Sequence, residues 1–261
     1  MTRTRALLGC IADDFTGATD LANNLVRAGM RVVQAMGVPT APLDTEADAI
    51  VVALKSRTIA KDEAIAQSLA ALQWLQAQGA EQIYFKYCST FDSTAEGNIG
   101  PVTDALMQAL GTDFTIATPA FPDNKRTVFK GYLFAGDVLL NESGMQNHPL
   151  TPMTDPNLVR VLQAQTRRTV GLIDYATVAQ GAAAIYARIT ALKAELGFED
   201  TPFAVDTAVV EGTQGNAAPS ANEPVYYTHL TLPTIRSPER SGAAESFITK
   251  DPEDAAARVC F

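Results

Sequence analysis

The chain has 261 residues, of which 47% are hydrophobic, and a formal net charge of −9. This length is enough for one large α/β domain or two small ones with a substantial core. The acidic balance argues against nucleic acid as a partner, because a protein of this charge gains nothing from the release of phosphate counterions.

Cysteine usage and hydropathy bear on the compartment. Cys10, Cys88 and Cys260 are far apart and show no C-x-x-C spacing. This pattern of cysteines is typical of a protein in a reducing compartment. It predicts neither a disulfide scaffold nor a zinc site. No window approaches 18 apolar residues, and the basic N-terminus has no long apolar segment, so neither a membrane span nor a signal peptide is predicted. We expect a cytoplasmic protein with no membrane partner.

Strands and helices are predicted to alternate from residue 6 to about residue 210. The apolar run Ala6–Ala12 predicts a buried strand, and a helix from about Gly17 to Gly29 follows it. The further predicted strands are 31–36, 48–54, 82–87, 114–118, 170–173 and 203–210, and the further predicted helices are 62–78, 98–110, 158–165 and 178–196. The stretch 121–153 is rich in turn-forming residues.

Such alternation predicts an α/β fold with a mostly parallel sheet and helices on both faces. Residues 6–210 would form this domain and residues 211–225, rich in Gly, Asn, Ala, Pro and Ser, a linker. Within residues 226–261, the segment Tyr227–Thr234 (Tyr-Thr-His-Leu-Thr-Leu-Pro-Thr) resembles the translation of a transposon-end sequencing adapter. We therefore expect residues 226–261 to be foreign to the original gene; an ordinary disordered tail is the alternative.

Ligands of parallel sheets bind at the carboxyl ends of the strands, and three predicted strand ends are polar. The first carries Asp13 and Asp14, followed by Thr16 and Gly17. Two carboxylates before a helix N-terminus can bind sugar hydroxyls, a magnesium ion or a nucleophile's proton, and the backbone N–H groups that follow can receive an anion. A helix cap by one aspartate is the alternative. Because a helix cap needs only one carboxylate, the presence of two favours a ligand-binding or catalytic role over capping alone.

The second polar strand end carries Lys55, Ser56 and Arg57. A guanidinium can bind a carboxylate or phosphate through two hydrogen bonds. A solvated basic loop is the alternative.

The third polar strand end combines a cation, a carboxylate and several hydroxyls: Lys86, Ser89, Asp92, Ser93 and Thr94. This density suits a small polyol acid, although Ser/Thr turns are the alternative. Arg126 and His148 add cations in the stretch 121–153, and a structural role for His148 before Pro149 is at least as good an interpretation.

Several well-known motifs are absent from the sequence. It contains no G-x-x-x-x-G-K-[ST] loop, no G-x-G-x-x-G after a strand and no G-x-S-x-G elbow. The residues alone therefore indicate an α/β domain that binds a small hydroxylated anion.

The motifs taken together resemble a known family. Ile11–Ala18 (Ile-Ala-Asp-Asp-Phe-Thr-Gly-Ala), Leu54–Arg57, Tyr84–Thr94 with Gly97–Gly100, and Asn147–Met153 are similar, in this order, to the four-carbon acid sugar kinases and most of all to the 3-oxo-tetronate kinases. The resemblance implies two α/β domains, the first holding the acid and the second ATP. It also implies ATP- and Mg²⁺-dependent phosphorylation of the terminal hydroxyl of an acid such as 3-dehydro-erythronate.

The resemblance also implies roles for the candidate residues. Arg57, with Lys55 or Ser56, would bind the substrate carboxylate. Asp14 and Asp92 would bind hydroxyls, and one of them would accept the proton of the attacking hydroxyl. Asp13 would help to organise Mg²⁺ or water. The residues that complete the pocket would be Thr16, Gly17, Lys86, Ser89, Ser93, Thr94, Arg126 and His148.

The sequence departs from the family pattern in one respect, and two alternative functions remain. No glycine-rich nucleotide loop follows Val210, so we expect a truncated, substrate-binding half without an ATP site. A binding module that never phosphorylates the acid is one alternative. A receiver-like signalling domain is another, but it would need a phosphoacceptor aspartate at the end of the third strand, where Lys55 stands.

Overall fold

The computed structural model describes residues 6–44, 46–92, 94–112, 114–195, 203–206 and 259–260. The predicted linker, nearly all of the predicted foreign tail and Ser93 lie outside the described residues. None of the described helices combines the length and the apolar character that crossing a membrane requires.

A parallel sheet forms the centre of the fold. Its strands are β1 (Leu8–Ala12), β2 (Val32–Met36), β3 (Ala49–Ala53), β4 (Gln82–Lys86), β5 (Thr115–Ala117), β9 (Val170–Ile173), β10 (Phe203–Asp206) and β11 (Val259–Cys260). They lie in the order β2-β3-β1-β4-β11-β5-β10-β9, and every neighbouring pair is parallel. The predicted α/β class is confirmed.

Helices cover both faces of this sheet. They are α1 (Phe15–Arg27), α2 (Lys61–Ala77), α3 (Ile99–Leu110), α4 (Leu158–Gln165), α5 (Tyr175–Val178) and α6 (Ala182–Glu195). β1 shows why both faces need cover, because Cys10 packs in the core beneath α1 while Ile11 packs in the core on the opposite face. Gly9 allows the end of α2 and the residues after it to pack closely on β1, since a Cβ at Gly9 would lie 2.9 Å from the Cβ of Ala80.

Two regions differ from the sequence-based expectations. The stretch 121–153, predicted as turns, contains a small antiparallel sheet of β6 (Arg126–Phe129), β7 (Tyr132–Ala135) and β8 (Val138–Leu139). Short 3-10 helices accompany it at 122–124, 140–142 and 144–147. The helix predicted for 178–196 begins only at Ala182: Val178 ends the short helix α5, and Gly181, in a left-handed conformation (φ 87°), separates α5 from α6.

Candidate functional site

The carboxyl ends of β1, β3 and β4 meet at one edge of the sheet. The backbone N–H of Asp13 donates to the carbonyl of Lys86 (3.0 Å), and the carbonyl of Asp13 accepts from the N–H groups of Ser56 (2.9 Å) and Arg57 (3.2 Å). The three polar strand ends, at residues 13–17, 55–57 and 86–94, are therefore tied together through one residue, Asp13.

Arg57 joins the two aspartates after β1. Its Nε and Nη2 donate to the two carboxylate oxygens of Asp13 at 3.0 and 2.7 Å, and Nη2 also donates to Oδ1 of Asp14 at 2.7 Å. Asp13 is buried, so burial raises the pKa of its carboxyl against the opposing effect of Arg57. Among the described residues none accepts a hydrogen bond from Nη1 of Arg57.

Asp14 serves two partners at the start of α1. It is the N-cap of this helix, and its Oδ1 accepts from the N–H of Gly17 at 2.8 Å while also accepting from Arg57. The helix therefore begins at Phe15, two residues earlier than predicted. The capping role offered as the alternative for this pair belongs to Asp14, and the ion pair with Arg57 exists beside it.

Lys86, the last residue of β4, brings a second cation to the cluster. Its Nζ donates to the carbonyl of Tyr87 at 2.6 Å. Burial lowers the pKa of Lys86, and the charge of Asp13 acts against this. Gly17 leaves room for the carboxylate of Asp14, because a Cβ there would lie only 2.6 Å from Oδ1 of Asp14, whereas its 3.4 Å distance to Nζ of Lys86 would be an ordinary contact.

Asp92 differs from the other carboxylates of the site. Its side chain is buried, and no described residue donates a hydrogen bond to its carboxylate. Burial, and then the charges of Asp13 and Asp14, raise its pKa to about 7, with Arg57 acting in the opposite direction. A carboxyl group with this pKa exchanges its proton near neutral pH, as a general base must.

The backbone that presents Asp92 is strained. Phe91 and Asp92 both have positive φ angles, 60° and 39°, which non-glycine residues rarely adopt. The fully buried ring of Phe91 packs edge-on against Tyr87, with 5.5 Å between the centroids. Burial of this ring holds the loop in a conformation that its backbone alone would not choose, as is common at functional sites.

Two side-chain carboxamides whose roles the sequence does not predict hold the loops of the site. The buried Nδ2 of Asn98 donates to the carbonyls of Ser56, Arg57 and Ile59 at 3.0, 3.2 and 3.0 Å. Gln165, at the end of α4, donates to the carbonyl of Thr94 and accepts from the N–H of Gly100, both at 2.8 Å. The only sequence signal was the Gly97–Gly100 motif, whose glycines leave room for Gln165.

We expect the Asn98→Ala variant to bind its ligand about ten-fold more weakly and to lose about 1 to 3 kcal/mol of unfolding free energy. The reason is that three carbonyls of the loop carrying Arg57 lose their donor in a buried place. Urea denaturation and ligand titration measure the two effects. Asn23→Ala, on the exposed face of α1, is the control; equal behaviour of the two variants would contradict this role.

The remaining predicted residues are less closely joined to this cluster. Lys55 lines an adjoining pocket of about 300 Å³, together with Phe15, Gly37, Val38, Ala53, Leu54 and Gln67. Thr16 is exposed, Ser56 is buried, Ser89 is half-buried, and Thr94 donates through its N–H to the carbonyl of Asp92.

Arg126 and His148 have local partners. Arg126 donates to the carbonyl of Asn124 (3.1 Å), and the Nδ1 of His148 lies 3.0 and 2.9 Å from the N–H and hydroxyl of Thr151. The described contacts join neither residue to the carboxylates after β1. Their roles in substrate binding stay predictions, as do those of Ser89, Ser93 and Thr94.

A resident magnesium ion does not fit this set of donors. Arg57 engages both carboxylate oxygens of Asp13. Nowhere in the described ranges do three or more His, Cys, Asp or Glu side chains gather in a way that holds a metal ion. The described role of Asp13 is its ion pair with Arg57, and its expected part in organising Mg²⁺ or water stays a prediction.

Comparisons with known proteins agree with this architecture. Residues 8–216 match the family model of the sugar-binding N-terminal domain. The 3-oxo-tetronate kinase of Pseudomonas fluorescens is 66% identical over 197 residues, which cover 75% of this chain and 46% of that protein. The enzyme of the same name from Cupriavidus necator is 68% identical over 194 residues, covering 73% of this chain and 45% of that protein. The chain spans about half the length of the curated relatives it matches.

Solved structures show the same similarity. The crystal structure of Haemophilus influenzae protein HI1011 superposes with a TM-score of 0.74 at 56% identity, covering 77% of this chain and 48% of that one. A domain from Bordetella bronchiseptica, crystallised as a domain-swapped dimer with bound citrate, gives a TM-score of 0.63 at 27% identity, covering 79% and 49%. Both superpositions cover about half of the longer protein.

Proposed function

This chain belongs to the family of the sugar-binding N-terminal domain, and on that premise we propose that it is the acid-binding half of a 3-oxo-tetronate kinase. The proposed reaction transfers a phosphoryl group from ATP to the terminal hydroxyl of a four-carbon sugar acid. The observation that carries this proposal is the cluster of buried Asp13 and Asp92 with half-buried Asp14, Arg57 and Lys86 beyond the carboxyl ends of three parallel strands.

The charges of the cluster support an anionic ligand. The carboxylates of Asp13 and Asp14 balance the charges of Arg57 and Lys86, and Asp92, with a pKa of about 7, adds a negative charge only in the part of the molecules where it is ionised and can act as a base. A carboxylate that enters is favoured by Lys86 and by the Nη1 of Arg57, because both groups are positively charged donors and hydrogen bonds between charged partners are the stronger ones. The citrate bound by the Bordetella neighbour is a hydroxy acid of the same chemical class.

Asp92 is the proposed proton acceptor. It accepts the hydroxyl proton of the sugar acid as that oxygen attacks the γ-phosphorus and the bond to the leaving ADP breaks. Asp14 is less suited because one of its oxygens already accepts from Gly17 and Arg57. The protein otherwise contributes positioning and electrostatics, which carry most of phosphoryl-transfer catalysis.

ATP and its Mg²⁺ enter this proposal as substrates. In the full-length proteins they would be held by the half that this chain does not match. In the chain itself, Asp13 and Asp14 keep Arg57 in place, and the cluster orients the acid with its terminal hydroxyl towards Asp92.

Isothermal titration calorimetry of the chain with erythronate, with the uncharged polyol erythritol and with Mg-ATP tests the proposal. We expect heat of binding from erythronate and none from erythritol, because the carboxylate supplies the charge that Lys86 and Arg57 recognise. Absence of erythronate binding, and then of binding in a fourth titration with 3-dehydro-erythronate, would contradict the proposal. Binding of Mg-ATP would place a nucleotide site within this chain.

The Lys86→Met variant is expected to bind erythronate about 10- to 100-fold more weakly, the worth of one charge-assisted hydrogen bond. The matched control is Lys61→Met, at the exposed start of α2, which should bind as the unmodified chain does. Equal affinities of the two variants would remove Lys86 from the acid site.

A further inference from the structure

The central sheet has an unusual connection between β4 and β5. The two strands follow one another along the chain, joined by α3, yet they are not neighbours in the sheet. The position between them is held by β11. Val259 and Cys260 pair in parallel with Ile83 and Tyr84 of β4, and Cys260 pairs with Ile116 of β5.

This position, which we call the β4–β5 slot, is required for one continuous sheet. Neighbouring strands lie about 4.8 Å apart, so two strands separated by a slot lie about twice that distance apart, beyond the reach of a backbone hydrogen bond. Without an occupant the sheet would divide into β2-β3-β1-β4 and β5-β10-β9. Buried backbone groups that have no partner cost free energy, so the slot must be filled by an extended segment.

The surroundings of the slot define the chemistry of its occupant. Ile83, Phe85, Thr115 and Ala117 on the two flanking strands are buried, and α3 packs against β11. An occupant is therefore covered by the sheet on both sides and by a helix on a face, which calls for an apolar extended strand in parallel orientation.

The source of the strand follows from the family match. Every described strand of the parallel sheet within residues 8–216 has another place, and β11 lies outside the matched residues. The relatives are about twice as long as the matched segment. We propose that the β4–β5 slot is a strand-docking site, filled in the full-length proteins by an apolar strand from the half that this chain does not match. Here Val259 and Cys260 take that place. This inference does not depend on acid binding.

The first test asks whether the slot needs its strand. Proline in a central strand removes a ladder donor and fixes φ, whereas threonine keeps the N–H and the β-branched shape. We expect Val259→Pro to lower Tm by about 5 °C and to raise amide hydrogen exchange at residues 83–85 and 115–117. Val259→Thr, which keeps the N–H, should lose clearly less Tm than Val259→Pro and keep the exchange protection, and far-UV circular dichroism confirms that both fold. Equal exchange in the two variants would overturn the proposal.

The second test identifies the occupant. Overlapping 12-residue peptides covering the unmatched half of the Pseudomonas fluorescens relative are added to the Val259→Pro variant. We expect one apolar peptide to restore Tm and exchange protection, while a scrambled peptide of the same composition does neither. If no peptide restores them, the proposed origin of the strand is wrong.

Discussion

Replacing Arg57 by methionine is expected to lower the free energy of unfolding by about 3 to 5 kcal/mol. The guanidinium is the partner of both Asp13 and Asp14. Methionine preserves the apolar part of the side chain but leaves the buried carboxylate of Asp13 without its cation. An unpaired buried charge is costly, and breaking a buried pair by removing one member typically costs this amount.

Arg31 supplies a control with nearly the same geometry. It donates through Nε and Nη2 to both oxygens of Asp48 and through Nη1 to Glu46, but on the surface. Exposed ion pairs contribute little because water screens the charges. Arg31→Met should therefore change stability only slightly. If the two variants lose equal stability in urea denaturation, burial is not what makes the Arg57 cluster important.

A double variant separates the charge from the packing of Arg57. In Arg57→Met with Asp13→Asn, the buried carboxylate becomes a neutral amide, and part of the lost stability should return. Failure of this rescue would assign the loss to packing around Arg57 rather than to the unpaired carboxylate.

The strands and helices that position the site could be predicted well from the sequence. Hydrophobic runs such as Ala6–Ala12 and the helical spacing of 62–78 depend on local periodicity, which a sequence displays directly. The rule that ligands bind at strand ends then selected Asp13, Arg57 and Lys86. It could not show that β1 lies between β3 and β4, since strand order depends on non-local packing.

What the sequence could not show depends on conformation and on partners far along the chain. Asp92 gains its character from burial and a left-handed backbone, neither of which has a residue signature. Asn98 and Gln165 act on backbone carbonyls, and such carboxamides look the same as surface ones in a sequence. The ion pair of Asp13 with Arg57 joins residues whose proximity only the strand order creates.

Replacing Asp92 by asparagine is expected to change how stability depends on pH. The pKa of Asp92 is raised from 3.8 to about 7, so between these values the folded state holds a proton that the unfolded state releases. The stability that this bound proton contributes is complete below pH 4 and is lost as the pH rises through about 7. Between these values the free energy of unfolding falls by up to about 1.4 kcal/mol per pH unit. Asparagine does not titrate, so Asp92→Asn should flatten this slope and be more stable than the unmodified chain at pH 8 by roughly 4 kcal/mol.

Urea denaturation at pH 4, 5, 6, 7 and 8 measures this difference, with Asp137→Asn on the exposed turn between β7 and β8 as the control that should keep the original slope. A slope unchanged in Asp92→Asn would show that the carboxylate is ionised without cost and unsuited as a base.

The same substitution in a full-length relative that carries this aspartate should lower kcat by about 10²- to 10⁴-fold with little change in acid affinity, because a general base acts in the transition state. The two results belong together: the burial that destabilises the ionised carboxylate in the folded chain is what brings its proton affinity to the value that the transfer needs.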